Sequence, residues 1–155
     1  PANKVTPEIA AIRGIPVGVV CKSPAAHTAF TDVDSLIAFI ETLADVTGVP
    51  VGIKSAVGQS EFWTELATTM AATGRGPDFI TIDGGEGGTG AAPLEFMDHV
   101  GMPLRDGLSF VHNALIGVGL RDRIKLGASG KITSAFDMAR RASATSDSAM
   151  RVFSV

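Results

Sequence analysis

Residues Asp78–Pro93 read DFITIDGGEGGTGAAP, and this stretch is central to both the predicted fold and the predicted site. Its first part, Phe79–Ile82, is short and rich in β-branched residues, as is typical of a strand buried on both faces of a parallel sheet. Five glycines then fall within the seven residues from Gly84 to Gly90. Because each glycine adds backbone entropy to the unfolded chain, such a cluster is expected where the backbone takes positive φ angles or approaches a ligand. A ligand site at the carboxyl end of a strand is one interpretation, and a plain turn is the other, since the spacing matches neither the dinucleotide nor the P-loop motif.

The composition indicates one domain that is apolar and carries few charges. Its 155 residues suffice for a core, and 45% of them are hydrophobic while only 19% are charged. Parallel α/β sheets explain part of this, and a surface that contacts a partner would explain the rest. The net charge of −3 argues against a nucleic-acid platform. Cys21, the only cysteine, excludes an internal disulfide, and no apolar run reaches membrane-spanning length, so a cytoplasmic protein with no membrane association is expected.

Strands and helices are predicted to alternate along the chain. Apolar segments predict strands at Val17–Cys21, Val51–Lys54, Phe79–Ile82, Arg123–Gly127 and Met150–Val155. Amphipathic helices are predicted between them, and a short helix, Glu8–Arg13, precedes the first strand. Repeated βαβ units predict an α/β fold with a parallel sheet and right-handed crossovers. Because a (β/α)8 TIM barrel takes roughly 250 residues, the chain is predicted to hold about four to five βα units of a partial barrel.

Two further features lie at the carboxyl ends of predicted strands. Lys54 ends the second strand, where a cation is costly unless it meets an anion or an electron-rich ligand; a lysine that reaches solvent is the alternative. Ser129 and Gly130 lie in a predicted loop, Ala128–Lys131, whose backbone N–H groups would suit a phosphate; a tight βα turn is the alternative. In a barrel these features share one face with the glycine cluster, and active sites lie on that face.

The three histidines are weaker candidates. His27 lies in a predicted loop and is interpreted mainly as a structural hydrogen-bonding residue, with catalysis as the alternative. His99 and His112 fall in predicted helices, where both are interpreted as surface or capping residues. The sequence therefore assigns no catalytic residue and no metal site.

Six segments resemble the FMN-binding domain of glutamate synthase, and especially the shorter glutamate-synthase-like FMN proteins. They are KVTPEIAAIRGIPVG (Lys4–Gly18), SPAAH (Ser23–His27), PVGIK (Pro50–Lys54), DFITIDGGEGGTGAAPLEF (Asp78–Phe96), DHVGMPLRDGL (Asp98–Leu108) and GLRDRIKLGASGKI (Gly119–Ile132). The resemblance runs from Lys4 to about Ala139, and the DGGEGGTGAAP block is highly specific to that family.

The resemblance implies a single domain over residues 1–155, the C-terminal half of an FMN-binding (β/α)8 barrel, with an atypical tail at 142–155. It implies an FMN-dependent oxidoreductase that forms L-glutamate reductively from 2-oxoglutarate and ammonia or glutamine. A 2-oxoacid substrate and an electron donor, either ferredoxin or a nicotinamide-dependent subunit, are the partners that this activity needs.

By position, the resemblance places Lys54 beside the pyrimidine edge of the flavin, where a cation stabilises negative charge on the reduced form. The wall next to the flavin and the substrate would be formed by Gly84, Gly85, Gly87, Gly88 and Thr89. Ser129 and Gly130 would donate backbone N–H groups to the FMN phosphate. Arg105 and Lys131 are weaker candidates for balancing the charge of that phosphate.

Several features of the family have no counterpart in this sequence. They are the first barrel strands, the glycine-rich segment before the KVTPEI block, the iron–sulfur cysteines and the glutaminase domain. The tail RASATSDSAMRVFSV (Arg141–Val155) does not match the family's eighth strand. A fragment with little or no turnover by itself is therefore expected. Two alternatives stay open: a half-barrel without retained chemistry that self-associates into a homo-oligomer, and another FMN- or phosphate-binding barrel enzyme.

Overall fold

The structure is a computed structural model that describes residues 2–20, 27–84, 101–130, 134–144 and 151–154. The described helices are a short 3-10 turn, Ala2–Lys4, followed by α1 (Pro7–Arg13), α2 (Val33–Thr47), α3 (Ser60–Thr73), α4 (Leu104–Gly117) and α5 (Ala135–Ala144). The described strands are β1 (Gly52–Ala56), β2 (Phe79–Asp83), β3 (Lys125–Gly130) and β4 (Arg151–Ser154).

The four described strands form one parallel sheet in the order β1-β2-β3-β4. Among the described helices, α3, α4 and α5 lie in turn between successive strands. The spatial order follows the chain order without a reversal. Right-handed crossovers then place successive helices on one face, as in consecutive units of a (β/α)8 barrel, whereas a doubly wound sheet reverses its order. The predicted fold class is confirmed: an α/β fold with a parallel sheet, consistent with a partial barrel.

The hydrophobic core lies between the sheet and helices α3 and α4. Ile80 and Ile82 of β2 and Leu126 and Ala128 of β3 are buried on the same face of the sheet. The helical residues that pack in this cluster include Trp63, Leu66, Met70, Leu104, Leu108, Val111 and Leu115. These residues recur every three or four positions, which places them on one side of each helix. The core therefore follows from strand alternation on one layer and helical periodicity on the other.

Local sequence explains where the helices begin and end. The hydroxyl of Thr6 accepts a hydrogen bond from the N–H of Ile9 and thereby caps α1. Asp32 and Ser35 form a reciprocal capping box at the start of α2. Gly48 ends α2 with a left-handed φ of 66°, a conformation that glycine adopts without steric cost. The predicted short helix Glu8–Arg13 is confirmed, and Pro7 is its first residue.

The prediction of a first strand at Val17–Cys21 is wrong over the residues that the structure describes. No residue from Val17 to Val20 belongs to a strand, and Cys21 lies outside the described residues. The φ of 69° at Gly18 breaks an extended path, and the Gly18 N–H donates to the carbonyl of Val5. β-branched residues favour a strand only where a neighbouring strand pairs and packs with them, and no described strand does so here.

The predicted strand boundaries needed correction at the carboxyl edge of the sheet. β1 runs from Gly52 to Ala56, so Lys54 lies in the middle of the strand and not, as was predicted, at its end. β3 extends through Ala128–Gly130, which was predicted to be a loop. β3 pairs with β2 on one side and with β4 on the other. Ladder hydrogen bonds on both sides hold the small residues extended, although their intrinsic propensity favours a turn.

The prediction that β2 is buried on both faces is also wrong. Ile80 and Ile82 are buried, whereas Phe79 is 41% exposed and Thr81 and Asp83 are only partly buried. α3 and α4 pack on the face that carries the isoleucines. The opposite face, here called the open face, bears Lys54, Phe79, Thr81, Asp83 and Ser129.

Candidate functional site

Two of the predicted site features share the open face near the carboxyl edge of the sheet. In the strand register, Asp83 lies between Ala56 of β1 and Ser129 of β3. Lys54 lies two residues before Ala56 along β1. Because side chains alternate along a strand and paired residues in a parallel sheet point to the same side, Lys54, Asp83 and Ser129 all belong to the open face.

Lys54 forms an ion pair with Asp83 across the β1–β2 ladder. The distance from Lys54 Nζ to Asp83 Oδ2 is 3.0 Å, and the two side chains are 54% and 36% exposed. At this exposure solvent screens the attraction, and such pairs typically contribute about 0–1 kcal/mol to stability. The ammonium group has three N–H donors, so this contact leaves donors for a ligand on the open face. The sequence predicted that Lys54 needs a negatively charged partner, and Asp83 provides part of that negative charge.

The start of the glycine cluster is attached to the end of β3. Gly84 follows β2 directly, is buried, and donates its N–H to the carbonyl of Ser129 at 3.1 Å. Ser129 is itself buried, and Gly130 pairs with Ser154 of β4. Ser129 and Gly130 therefore lie within the sheet at its carboxyl edge, and their role towards a phosphate stays a prediction. The other predicted site residues, Gly85, Gly87, Gly88, Thr89 and Lys131, lie outside the described residues.

Arg105 lies at the same edge of the sheet. It is exposed in the first turn of α4. The N–H of Met102, just before that helix, donates to the carbonyl of Val57 at 2.8 Å, directly after β1. This contact places the start of α4 beside the carboxyl end of β1. Arg105 therefore provides a second cation near that edge, as its predicted role requires.

The histidines differ from one another in their surroundings. The ring of His27 stacks on Phe30 with 4.6 Å between centroids, and its Nδ1 accepts the N–H of Ala29. These contacts agree with a structural role. His99 lies outside the described residues.

The prediction that His112 is a surface or capping residue is wrong. His112 is buried on the core side of α4, and its Nδ1 accepts a hydrogen bond from Arg121 Nε at 2.9 Å. Arg121 is also buried, and its Nη1 donates to the carbonyl of Ile124 at 2.9 Å. A buried guanidinium needs acceptors, and the imidazole provides one of them. This pair connects α4 to the turn before β3, well away from the carboxyl edge.

Residues 1–149 match the family described as "Conserved region in glutamate synthase". The chain belongs to the glutamate synthase family. It is 44% identical over 129 residues to the "Glutamate synthase large subunit-like protein YerD" of Bacillus subtilis strain 168, covering 83% of this chain and 25% of that protein. It is 37% identical over 140 residues to an archaeal glutamate synthase (NADPH) of Methanocaldococcus jannaschii, covering 89% and 27% respectively. It is 34% identical over 139 residues to the glutamate synthase (NADPH) large chain of Bacillus subtilis strain 168, covering 89% of this chain and 9% of that protein.

This member of the glutamate synthase family spans about a quarter of the length of the first two relatives. The resemblance stated from the six segments is confirmed at the level of the family. Within the described part of the chain, no cluster of three His, Cys, Asp or Glu side chains could hold a metal ion. None of the described helices is long and apolar enough to cross a membrane.

Asp83 and the His112–Arg121 pair are the polar groups that sequence reasoning missed. Asp83 carried a signal, because an acid stands directly between the buried strand and the glycine cluster. Its distance to Lys54 depends on the β1–β2 register, which neither strand encodes alone. The partners of His112 and Arg121 likewise depend on how α4 packs against the turn before β3.

Proposed function

We propose that this chain is a single domain, the C-terminal half of an FMN-binding barrel in a glutamate-synthase-type oxidoreductase. The complete enzyme would form L-glutamate reductively from 2-oxoglutarate and ammonia or glutamine, in the cytoplasm. The family match supports this reaction type over that of an unrelated flavin barrel. In the structure, the supporting observation is Lys54, a cation on the open face near the carboxyl edge of the sheet. By itself the chain is expected to have little or no turnover.

The charged groups of the described residues fit the chemistry of FMN. A reduced flavin carries negative charge at its pyrimidine edge, and the half-exposed ammonium of Lys54 is free to approach such an edge while it contacts Asp83. The phosphate of FMN needs cations and N–H donors, and Arg105 lies at the same edge. Gly84, Gly85, Gly87, Gly88 and Thr89 would line the flavin and the substrate, with Ser129, Gly130 and Lys131 nearer the phosphate.

FMN, when bound, would supply the electron transfer from the donor to the imine formed from 2-oxoglutarate and ammonia. The residues of this chain would bind and orient the cofactor, and Lys54 would stabilise the charge of its reduced form. The names of the relatives include both an NADPH type and the ferredoxin-dependent glutamate synthase of Pyropia yezoensis. A nicotinamide-dependent subunit and ferredoxin are therefore both open as electron donors.

FMN binding tests this function directly. The purified chain should be yellow, or should quench the fluorescence of added FMN at roughly micromolar concentration, a Kd typical of about 8 kcal/mol of binding free energy. The Lys54→Met variant should bind FMN more weakly and should lower the reduction potential of the bound flavin, because a nearby cation favours the anionic reduced form.

Lys125→Met is the matched control for that experiment. Lys125 pairs with Phe79 and thus belongs to the open face, but it lies at the amino end of β3, at the opposite edge. Its removal should leave FMN binding and potential unchanged. A colourless chain that does not quench FMN would contradict the proposed function. An unchanged potential in Lys54→Met would remove Lys54 from the site.

A second candidate function is self-association without chemistry. β1 is one of the two edge strands of the described sheet, and a groove of about 260 Å³ runs beside it. The apolar residues that line this groove include Phe30, Phe39, Ile40, Leu43, Ile53 and Phe62. A strand edge beside exposed apolar surface favours association of two copies. A colourless dimer in sedimentation, indifferent to FMN, would support this candidate against the first.

A further inference from the structure

We propose that Asp83 positions Lys54 and offsets its charge, and thereby sets the reduction potential of the bound flavin. This inference rests on the proposed function, since it concerns the same cofactor. Asp83 is then a positioning residue that acts through Lys54 and also carries a charge of its own.

The strand register explains why Asp83 reaches Lys54. Lys54 pairs with Thr81, and Asp83 lies two residues further towards the carboxyl edge on the same face of β2. The attraction of the carboxylate therefore holds the lysine side chain extended along β1 towards that edge. The distance between Lys54 Nζ and Asp83 Oδ2 is 3.0 Å. Lysine carries its charge on a flexible four-carbon stem, and half of this side chain is exposed. Without the carboxylate, the ammonium would be free to sample other positions in solvent.

The two charges act on a reduced flavin in opposite directions. The ammonium of Lys54 favours the anionic reduced form, whereas the carboxylate of Asp83 disfavours it. At 3.0 Å apart the two groups present little net charge to a ligand that lies further away. The potential is therefore expected to depend on both residues and not on the lysine alone.

Stability is a poor explanation for this ion pair. Both side chains are more than a third exposed, and pairs of that kind add little to the folded state. A structural role and a tuning role also predict different results. The first predicts a change in the unfolding midpoint, and the second predicts a change in the flavin potential while the midpoint stays the same.

Five variants of the FMN-loaded chain separate the effect of the Asp83 charge from the effect of its position. Asp83→Asn removes the negative charge but keeps a side-chain oxygen that accepts a hydrogen bond from Lys54. It should raise the potential; a tenfold gain in the affinity for reduced over oxidised FMN corresponds to about 30 mV for a two-electron couple. Asp83→Ala removes the acceptor as well, so its potential should lie below that of Asp83→Asn. Asp34→Asn, at an exposed position in α2, is the control and should match the wild type.

The fourth and fifth variants each place one of the two Asp83 substitutions, Asn or Ala, in a Lys54→Met background. There the difference between Asp83→Ala and Asp83→Asn should disappear, because no lysine is left to position. If the difference persists, or if the two substitutions have equal potentials beside an intact Lys54, the positioning role is overturned. A wild-type potential in Asp83→Asn overturns the charge role, although FMN is bound and the proposed function stands. If the wild-type chain binds no FMN, the proposed function is contradicted, and so is this inference, because it depends on that function.

Discussion

At the scale of single residues, the buried pair of Arg121 and His112 shows how much a buried hydrogen-bond donor depends on its acceptor. Both residues are 8% exposed, and Arg121 Nε donates to His112 Nδ1. A hydrogen bond to a charged group contributes roughly 1.5–3 kcal/mol, and a buried donor left without its acceptor costs a similar amount. This pair therefore adds far more to stability than the half-exposed pair of Lys54 and Asp83.

We expect His112→Ala to lower the free energy of unfolding by about 1–3 kcal/mol, because it removes an acceptor of the buried guanidinium. Urea unfolding followed by circular dichroism measures this change. His112→Gln is the matched variant, since its side-chain oxygen can accept the same hydrogen bond, and its loss should be smaller. A His112→Ala variant within about 0.5 kcal/mol of the wild type would contradict the assigned role, since that is the usual effect of a surface substitution.

At the scale of elements, the start of α2 depends on the ionised form of Asp32. The side-chain and backbone groups of Ser35, followed by the hydroxyl of Thr31, donate hydrogen bonds to this carboxylate and hold the pKa of Asp32 below its ordinary value of 3.8. The folded state therefore binds fewer protons than the unfolded state does near that pH. The stability that Asp32 contributes is present above pH 3.8 and is lost as the pH falls through the lower folded-state pKa.

We expect Asp32→Ala to lower the melting temperature at pH 7, because the N–H of Ser35 loses its capping acceptor. The difference from the wild type should shrink as the pH is lowered below 3.8. Thermal unfolding over a series of pH values measures both effects. Asp32→Asn retains a capping oxygen without a titrating group, so its stability should follow the wild type at low pH and fall below it at pH 7. A pH-independent difference between Asp32→Asn and the wild type would contradict this account.

At the scale of the whole molecule, one face of the sheet is covered by helices and the open face bears exposed apolar surface. Phe79 is 41% exposed at the amino end of β2. A large exposed aromatic side chain on a sheet face that no helix covers favours association. The geometry of the sheet thus gives the self-associating candidate a defined surface.

If two copies associate through the open face, Phe79→Glu should reduce the sedimenting mass from dimer to monomer at about 10–100 μM, a range that covers weak dimers. Phe136→Glu is the control, since Phe136 is a 72% exposed phenylalanine on α5, away from the open face. Circular dichroism checks that both variants keep the fold. A monomeric wild type, or an equal effect of the two variants, would contradict association through this face.

The sequence by itself determined the features that depend on local pattern. Periodicity located helices α2 to α4, and the apolar run Phe79–Ile82 located β2. The helix ends at Thr6, Asp32 and Gly48 also follow from residues next to them in the sequence. The DGGEGGTGAAP block led to the right family. Each of these signals is contained within a few neighbouring residues, because capping, turn conformation and amphipathicity act over one or two helical turns.

Only the tertiary structure decided the features that depend on partners distant in the chain. Pairing with both neighbours made Ala128–Gly130 part of β3, and the lack of a described partner left Val17–Val20 outside any strand. The β1–β2 register brought Asp83 to Lys54, and packing of α4 brought His112 to Arg121. The physical reason is the same in each case: hydrogen bonds and ion pairs are set by distances in space, and short local signals do not contain those distances.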